Sequence, residues 1–336
     1  DPNSPQPPAL SAGHRSPGHR SPGHRSPGHR SPGHRSADHR SAERLSADQQ
    51  RSLLHNLLDD ASLFPPGSLP MPVAVAAHVR HERAWFSELT GPFVCPESKL
   101  TELGRALTTA SVPWIDLSLV VTGGAAAVAA ATDAVAADAR LRLRAVEVPA
   151  ARDEQPAQAI TDVAAALDSV PLASATGYIE FPLAAIADPA AAGPLLDLAD
   201  RRGYRPKLRT GGVTPEAFPD EATLAGCLAA VAGRQIPFKC TAGLHHAVRG
   251  TDQAAGLERH GFLNVLLAVG AAAADASVAE ITAILAERDP AKVTGAVRAL
   301  DPDAAAEIRW LFTSFGTCST EQPVADLVGL GLLSQH

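Results

Sequence analysis

Lysine is nearly missing from this chain. Lys99, Lys207, Lys239 and Lys292 are the four that 336 positions hold, and arginine supplies the rest of the fixed positive charge. In such a composition a lysine inside an apolar stretch is hard to dismiss as a surface charge, and Lys207 and Lys239 both stand in one. Cysteine is as scarce. Cys95, Cys227, Cys240 and Cys318 are scattered with no CxxC spacing, which argues against a disulfide framework and against a structural zinc site. The longest apolar run, residues 262–274, has about 13 residues, short of the roughly 20 that span a bilayer as a helix. No apolar segment of signal-peptide type opens the chain, so a reducing cytoplasm is the expected setting. There is no GxGxxG after the first strand pattern and no HxH or HExxH anywhere. The usual fingerprints of a dinucleotide site and of a zinc hydrolase are therefore lacking.

The net charge of −7 hides an asymmetry, because residues 1–49 carry seven arginines against four acids and the remainder carries −10. An acidic folded part argues against nucleic acid or an anionic membrane surface as its partner.

The N-terminus is a five-residue repeat, Gly-His-Arg-Ser-Pro, that decays by residue 42. With no apolar side chains and a proline in each full unit, residues 1–46 are expected to be a disordered tail. Its evenly spaced histidines also suit loose metal chelation. From residue 47 to 336 the pattern is that of a single domain. A lead-in helix is succeeded by strands at 63–64, 92–96, 114–120, 141–148, 177–182, 205–212, 236–246 and 262–269. Helical patterns at 73–87, 99–109, 124–139, 156–168, 189–202, 215–233 and 278–288 alternate with them. Strands separated by one helix each indicate βαβ units and a parallel sheet. Eight such units over this length predict an α/β fold, a (β/α)8 TIM barrel, with residues 301–336 as a C-terminal helical extension.

Polar residues at the C-terminal ends of barrel strands face the mouth where reactions occur. Lys207 and Arg209 share the inward face of one strand, and Lys239 and Thr241 share that of the next. On neighbouring strands the two amines would lie about 5–10 Å apart. An ammonium close to a second cation loses its proton more readily, which is what a Schiff-base lysine requires. Arg209-Thr210-Gly211-Gly212, leading into a helix, offers an anion anchor, and Thr241-Ala242-Gly243 is a second loop of the same kind. His245 is placed for acid–base chemistry, with His246 beside it. Glu180 and Asp116 stand in apolar strands where an unpaired carboxylate is costly, so each is expected to meet a cation or to carry protons. The pair Asp59-Asp60, before Leu63, and Asn264, on the last strand, are weaker candidates of the same kind. Cys240 is expected to be a small core residue.

The segments Asp59-Asp60-Ala61, Leu63-Phe64-Pro65-Pro66, Gly91-Pro92-Phe93-Val94-Cys95-Pro96 and Lys207-Leu208-Arg209-Thr210-Gly211-Gly212 resemble those of a bacterial, largely actinobacterial, (β/α)8-barrel family. So do Phe238-Lys239-Cys240-Thr241-Ala242-Gly243-Leu244-His245-His246 and Phe315-Gly316-Thr317-Cys318-Ser319. This resemblance covers about residues 50–336 and carries no activity with it. More remotely, the two lysine-bearing strand ends are similar to those of class I aldolases of the deoxyribose-phosphate aldolase type. In those barrels the sixth and seventh strands carry the two lysines, one forming the Schiff base and one tuning it. Lys207 and Lys239 fall on the sixth and seventh strands counted here. Arg209 departs from the pattern, which has a small residue there, and His245-His246 has no counterpart in it.

The resulting expectation is a Schiff-base lyase acting on a small, anionic carbonyl compound bearing phosphate or carboxylate, with no cofactor and no metal. Lys207 is the nucleophile, Lys239 its tuning neighbour, and Glu180 or Asp116 with His245 the proton carriers. Arg209, Thr210, Gly211, Gly212, Thr241, Gly243, His246 and Asn264 form the binding set. Two alternatives remain open at this point: a metal-dependent hydrolase or isomerase with His245 or His246 as ligand, and a non-catalytic ligand-binding barrel.

Overall fold

The computed structural model describes residues 45–151, 154–252 and 256–335. The repeat tail expected to be disordered lies outside them, except for Leu45 and Ser46. Eight parallel strands close into a barrel: β1 (Leu58–Asp60), β2 (Thr90–Pro96), β3 (Ile115–Val120), β4 (Leu141–Pro149), β5 (Thr176–Glu180), β6 (Arg205–Arg209), β7 (Phe238–Thr241) and β10 (Phe312–Thr317). Around the ring the order is β1, β10, β7, β6, β5, β4, β3, β2. The α/β barrel expected from the alternation is therefore present. Its helices are α1 (Ala47–Leu54), α2 (Met71–His81), α3 (Leu100–Thr109), α4 (Val128–Ala136), α5 (Pro156–Asp168), α6 (Leu183–Ile186), α7 (Pro189–Asp200) and α8 (Glu221–Ala232).

Local chemistry explains where many of them start. Asp188-Pro189, Asp289-Pro290 and Asp301-Pro302 each place a carboxylate cap on a helix whose first residue is proline. The carboxylate accepts a free N–H of the first turn, and proline lacks the donor that would go unpaired there. Ser46 with Gln49 and Ser277 with Glu280 form reciprocal capping boxes.

Two strands differ from the sequence expectation. The first is Leu58–Asp60 rather than residues 63–64. Adjacent carboxylates look like a loop in sequence, but inside this barrel each has a partner. Asp59 meets Lys239, and Asp60 accepts from His78 of α2 at 3.0 Å. The larger correction is at the eighth position. Residues 262–269 are not a strand but part of α9 (Phe262–Ala273). This helix is packed by α8, α10 (Val278–Ala286), α11 (Pro290–Arg298) and α12 (Pro302–Leu311). A helix covered on nearly every side is apolar nearly all round, and a short apolar run then carries no periodicity to separate helix from strand.

The closing strand is β10, which lies in the stretch expected to be a helical extension. Phe315 of β10 stacks on Phe262 of α9 with ring centroids 5.2 Å apart. Helix α13 (Glu321–Gly329) comes after β10 in the chain. Between β7 and β10 the chain also forms a small antiparallel hairpin of β8 (Gly250–Asp252) and β9 (Leu257–Arg259). Among the described residues no helix is long and apolar enough to cross a membrane.

Candidate active site

The two-residue period of β6 and β7 places Lys207, Arg209, Lys239 and Thr241 on the inward side of the barrel wall, and all four line one cavity of about 320 Å3. Lys207 is level with Lys239 across the β6–β7 ladder, and Glu180 is level with Lys207 across β5–β6. The cavity opens at the C-terminal ends of the strands. Phe64, Val94, Val120 and Val213 supply apolar wall, and Glu147, His245 and Cys318 supply further polar groups.

The charged side chains form one continuous chain across the barrel. Lys239 donates to Asp59 of β1 and, at 2.6 Å, to Glu147 of β4. Lys207 donates to the other oxygen of Glu147 at 2.7 Å and to Glu180 at 3.0 Å. Arg209 donates to Glu180 through Nε at 2.7 Å and through Nη2 at 3.3 Å. Hydroxyls complete the set, with Ser118 donating to Glu147 at 2.5 Å and Ser314 to Asp59 at 2.8 Å. Three carboxylates thus face three cations, and apart from the partly exposed Arg209 all are buried.

The carboxylates are not equivalent. Burial works against the charge of Glu147, but Lys207 and Lys239 together hold its carboxyl well below the usual range. Burial opposes the charge of Glu180 as well, and Lys207 and Arg209 bring it down from 4.5 to about 2. Asp59 goes the other way. Burial pushes its carboxyl up, and its share of Lys239 does not offset this. For Lys239, burial favours loss of the proton, but Asp59 and Glu147 outweigh it and hold the ammonium above its ordinary value. Asp59 is therefore the carboxylate of the cluster that takes a proton first.

The loops after β6 and β7 are locked together. Thr210 is fully buried and its hydroxyl donates to the Ala242 carbonyl at 2.5 Å. A Cβ on Gly211 would stand 2.6 Å from the Gly243 Cα, and Gly243 has φ +79°. Thr210, Gly211 and Gly243 thus shape the mouth rather than line it, while Gly212 and Thr241 do line it. The anion anchor loses its helix. The segment after Gly212 leads into a short 3-10 turn (Pro215–Ala217), and the N-terminus of α8 beyond it is capped by Asp220, which accepts from Thr223 N–H at 2.7 Å.

The remaining expected site residues divide. His245 lines the cavity, and its Nδ1 lies 3.3 Å from the Cys318 sulfur. His246 is turned away to Asp326 of α13, with Nδ1 3.1 Å from the carboxylate. Asp116 is the second residue of β3, near the opposite end of that strand from Val120, and pairs with Arg144 at 2.9 Å. It does not line the cavity. Asn264, on α9 rather than on a strand, accepts from Arg249 N–H at 2.9 Å and donates to the carbonyls of Ile284 and Glu287. Its groups serve packing between segments. Cys240 is buried, and burial raises its thiol pKa.

Sequence reasoning passes over Glu147, the residue that joins the two lysines. The signal is there: it stands between Val146 and Val148 on a buried strand, as Glu180 stands between Ile179 and Phe181. Cys318 is likewise absent from the expected cavity residues. Among the described residues no group of three or more His, Cys, Asp or Glu is placed to hold a metal ion.

No family model matches the chain, and no curated protein matches it. The resemblances to the actinobacterial family and to class I aldolases therefore rest on the motifs themselves.

Proposed function

We propose that this barrel is a carbon–carbon lyase of Schiff-base type that acts on a small carbonyl compound, with Lys207 as the nucleophile. The observation that carries the reading is an asymmetry between the two lysines. Each carboxylate that holds Lys207 has a second cation, since Glu147 keeps Lys239 at 2.6 Å and Glu180 keeps Arg209 at 2.7 Å. With Lys207 as an amine, Glu147 and Glu180 would each still touch a cation, and the one negative charge left over would fall on Asp59, whose carboxyl burial already pushes up. With Lys239 as the amine instead, Asp59 would be left with the Ser314 hydroxyl alone. Lys239 is thus the fixed ammonium of the pair, and Lys207 is the lysine whose carboxylates each have a second cation.

In the reaction the Nζ lone pair of neutral Lys207 adds to the carbonyl carbon, and loss of water from the carbinolamine leaves an iminium. A base removes the proton of a hydroxyl β to the iminium carbon. The carbon–carbon bond then breaks toward the nitrogen, releasing an aldehyde and leaving an enamine. Protonation of the enamine carbon and hydrolysis return the second carbonyl compound and free Lys207. His245 lines the cavity and is assigned the proton transfers at the substrate. Asp59, reached from Lys207 through Glu147 and Lys239, is the reserve site for the proton that Lys207 gives up. An anionic group on the substrate would meet Arg209 in competition with Glu180.

Borohydride trapping with a panel of short aldehydes and ketones, with mass spectrometry of peptides as the readout, tests the proposal. The expected result is a reduced adduct on Lys207 that K207M lacks. No adduct on either lysine across the panel, or an adduct on Lys239 alone, overturns it. A ligand-binding barrel would pair its buried lysines just as fully, and ligand binding without any adduct would favour that second reading.

A further inference from the structure

A second cavity, of about 530 Å3, adjoins the first beyond Arg209. Its wall is mixed: Pro149, Phe181, Pro182 and Leu183 supply apolar surface, and Glu154, Glu180, Glu216 and Thr223 supply polar groups. Arg209 and Ala217 line both cavities, one from β6 and the other from the loop after it. The space at the strand ends is therefore two compartments with a shared wall. Lys207 faces only the first.

The wall is held, not merely present. An arginine side chain left to itself samples many rotamers, but Arg209 is bound at two points to Glu180, at 2.7 and 3.3 Å. Glu180 is buried, and Lys207 fixes it again at 3.0 Å. On the other side Ala217 is seated so close to Gly212 that a Cβ there would stand 2.6 Å from its own. A chain growing from a carbonyl at Lys207 toward the second compartment meets the guanidinium, and passing it would mean breaking a charge-assisted, two-point bond.

We infer that Arg209, anchored by Glu180, is a specificity-determining partition that restricts the site at Lys207 to short carbonyl compounds and keeps longer chains off the apolar side of the neighbouring compartment. The identity of the occupant as a carbonyl compound rests on the proposed lyase reading; the partition itself does not.

A homologous series of straight-chain alcohols, from propanol to decanol, tests the partition without any carbonyl chemistry. Calorimetric affinity for the wild-type protein is expected to rise about fourfold per methylene and then stop rising once the chain reaches Arg209. In R209A the rise continues for at least two further methylenes. R209A/E180Q removes the whole ion pair, leaves Asp59 and Glu147 balanced by Lys207 and Lys239, and is expected to behave in the same way; it carries the test if R209A folds poorly. An unmoved cut-off in both variants, or no measurable binding of any alcohol to any of the three proteins, overturns the inference. The matching aldehydes, trapped with borohydride, separate it from the lyase reading. A cut-off that moves for alcohols while no aldehyde marks Lys207 refutes the lyase and supports the partition. Adducts whose chain-length limit is the same in all three proteins refute the partition and support the lyase.

Discussion

The two lysines of the barrel look interchangeable until their neighbours are counted. Replacing Lys207 by methionine leaves Glu147 with Lys239 and Glu180 with Arg209, whereas replacing Lys239 leaves Asp59 with a hydroxyl. An uncompensated buried charge costs about 3–5 kcal/mol, so K239M is expected to lose about that much stability in urea unfolding and K207M less than half of it. Adding D59N to K239M should restore most of the loss. The opposite order would place the stranded carboxylate at the wrong lysine.

At this scale the sequence is legible where a period can be applied. Lys207 with Arg209 and Lys239 with Thr241 come from alternation along a strand, and the scarcity of lysine draws attention to them. Glu147 and Asp59 are harder, because their roles depend on pairing across the barrel, which no local pattern carries. Asp116 misleads for the same reason. Its strand and inward parity resemble those of a site residue, but its height in the barrel takes it away from the mouth.

Among the elements, helix contacts set by glycine give a sharp contrast. A Cβ on Gly226 of α8 would fall 1.8 Å from the carbonyl oxygen of Ala187, at the end of α6, whereas nothing lies within 4 Å of a Cβ on Gly295 of α11. Alanine is the better helix former at both sites. G295A is therefore expected to gain about 0.5–1 kcal/mol, and G226A to lose about 1–3 kcal/mol by overpacking. Thermal melts of the two variants measure the difference, and equal signs would contradict the close approach of α8 to Ala187. Element boundaries marked by Asp-Pro are open to reading from sequence, since the cap and the proline act locally. The identity of α9 is not. Its covering comes from α8, α10, α11 and α12, and a helix surrounded in that way writes no stripe into its sequence.

For the molecule as a whole, the charged chain links β1, β4, β5, β6 and β7, so its titration acts on global stability. Glu180 is brought from 4.5 down to about 2 in the folded state. A lowered carboxyl stabilises the fold above its unfolded pKa and loses that contribution as pH falls through the folded one. About 3 kcal/mol should therefore disappear between pH 4.5 and 2 through this group. Asp59 has the reverse sign: its raised carboxyl costs stability while charged, and that cost is relieved as pH falls from its folded pKa to the unfolded value of 3.8, with no further change below. Urea titrations across that range should show a steep acid limb in the wild-type protein and a shallower one in E180Q. Equal limbs would count against the strong pairing of Glu180.

The barrel itself is recoverable from the rhythm of alternating patterns, and even the number eight is right, though by compensation. In sequence, residues 262–269 look like a strand and residues 312–317 like tail, and the two errors cancel in the count. The distance the chain travels between its last two barrel strands has no local signature.

That excursion has a bearing on how the protein is made. The strand that seals β7 to β1 comes only after the whole 242–311 segment. A chain made only as far as residue 311 has seven of the eight barrel strands and would leave a seam between β7 and β1 if those seven assembled. Both flanks of the seam present unpaired backbone groups, the feature that recruits foreign strands. The window for misassembly opens as β7 emerges and shuts when Phe312–Thr317 slides into the gap.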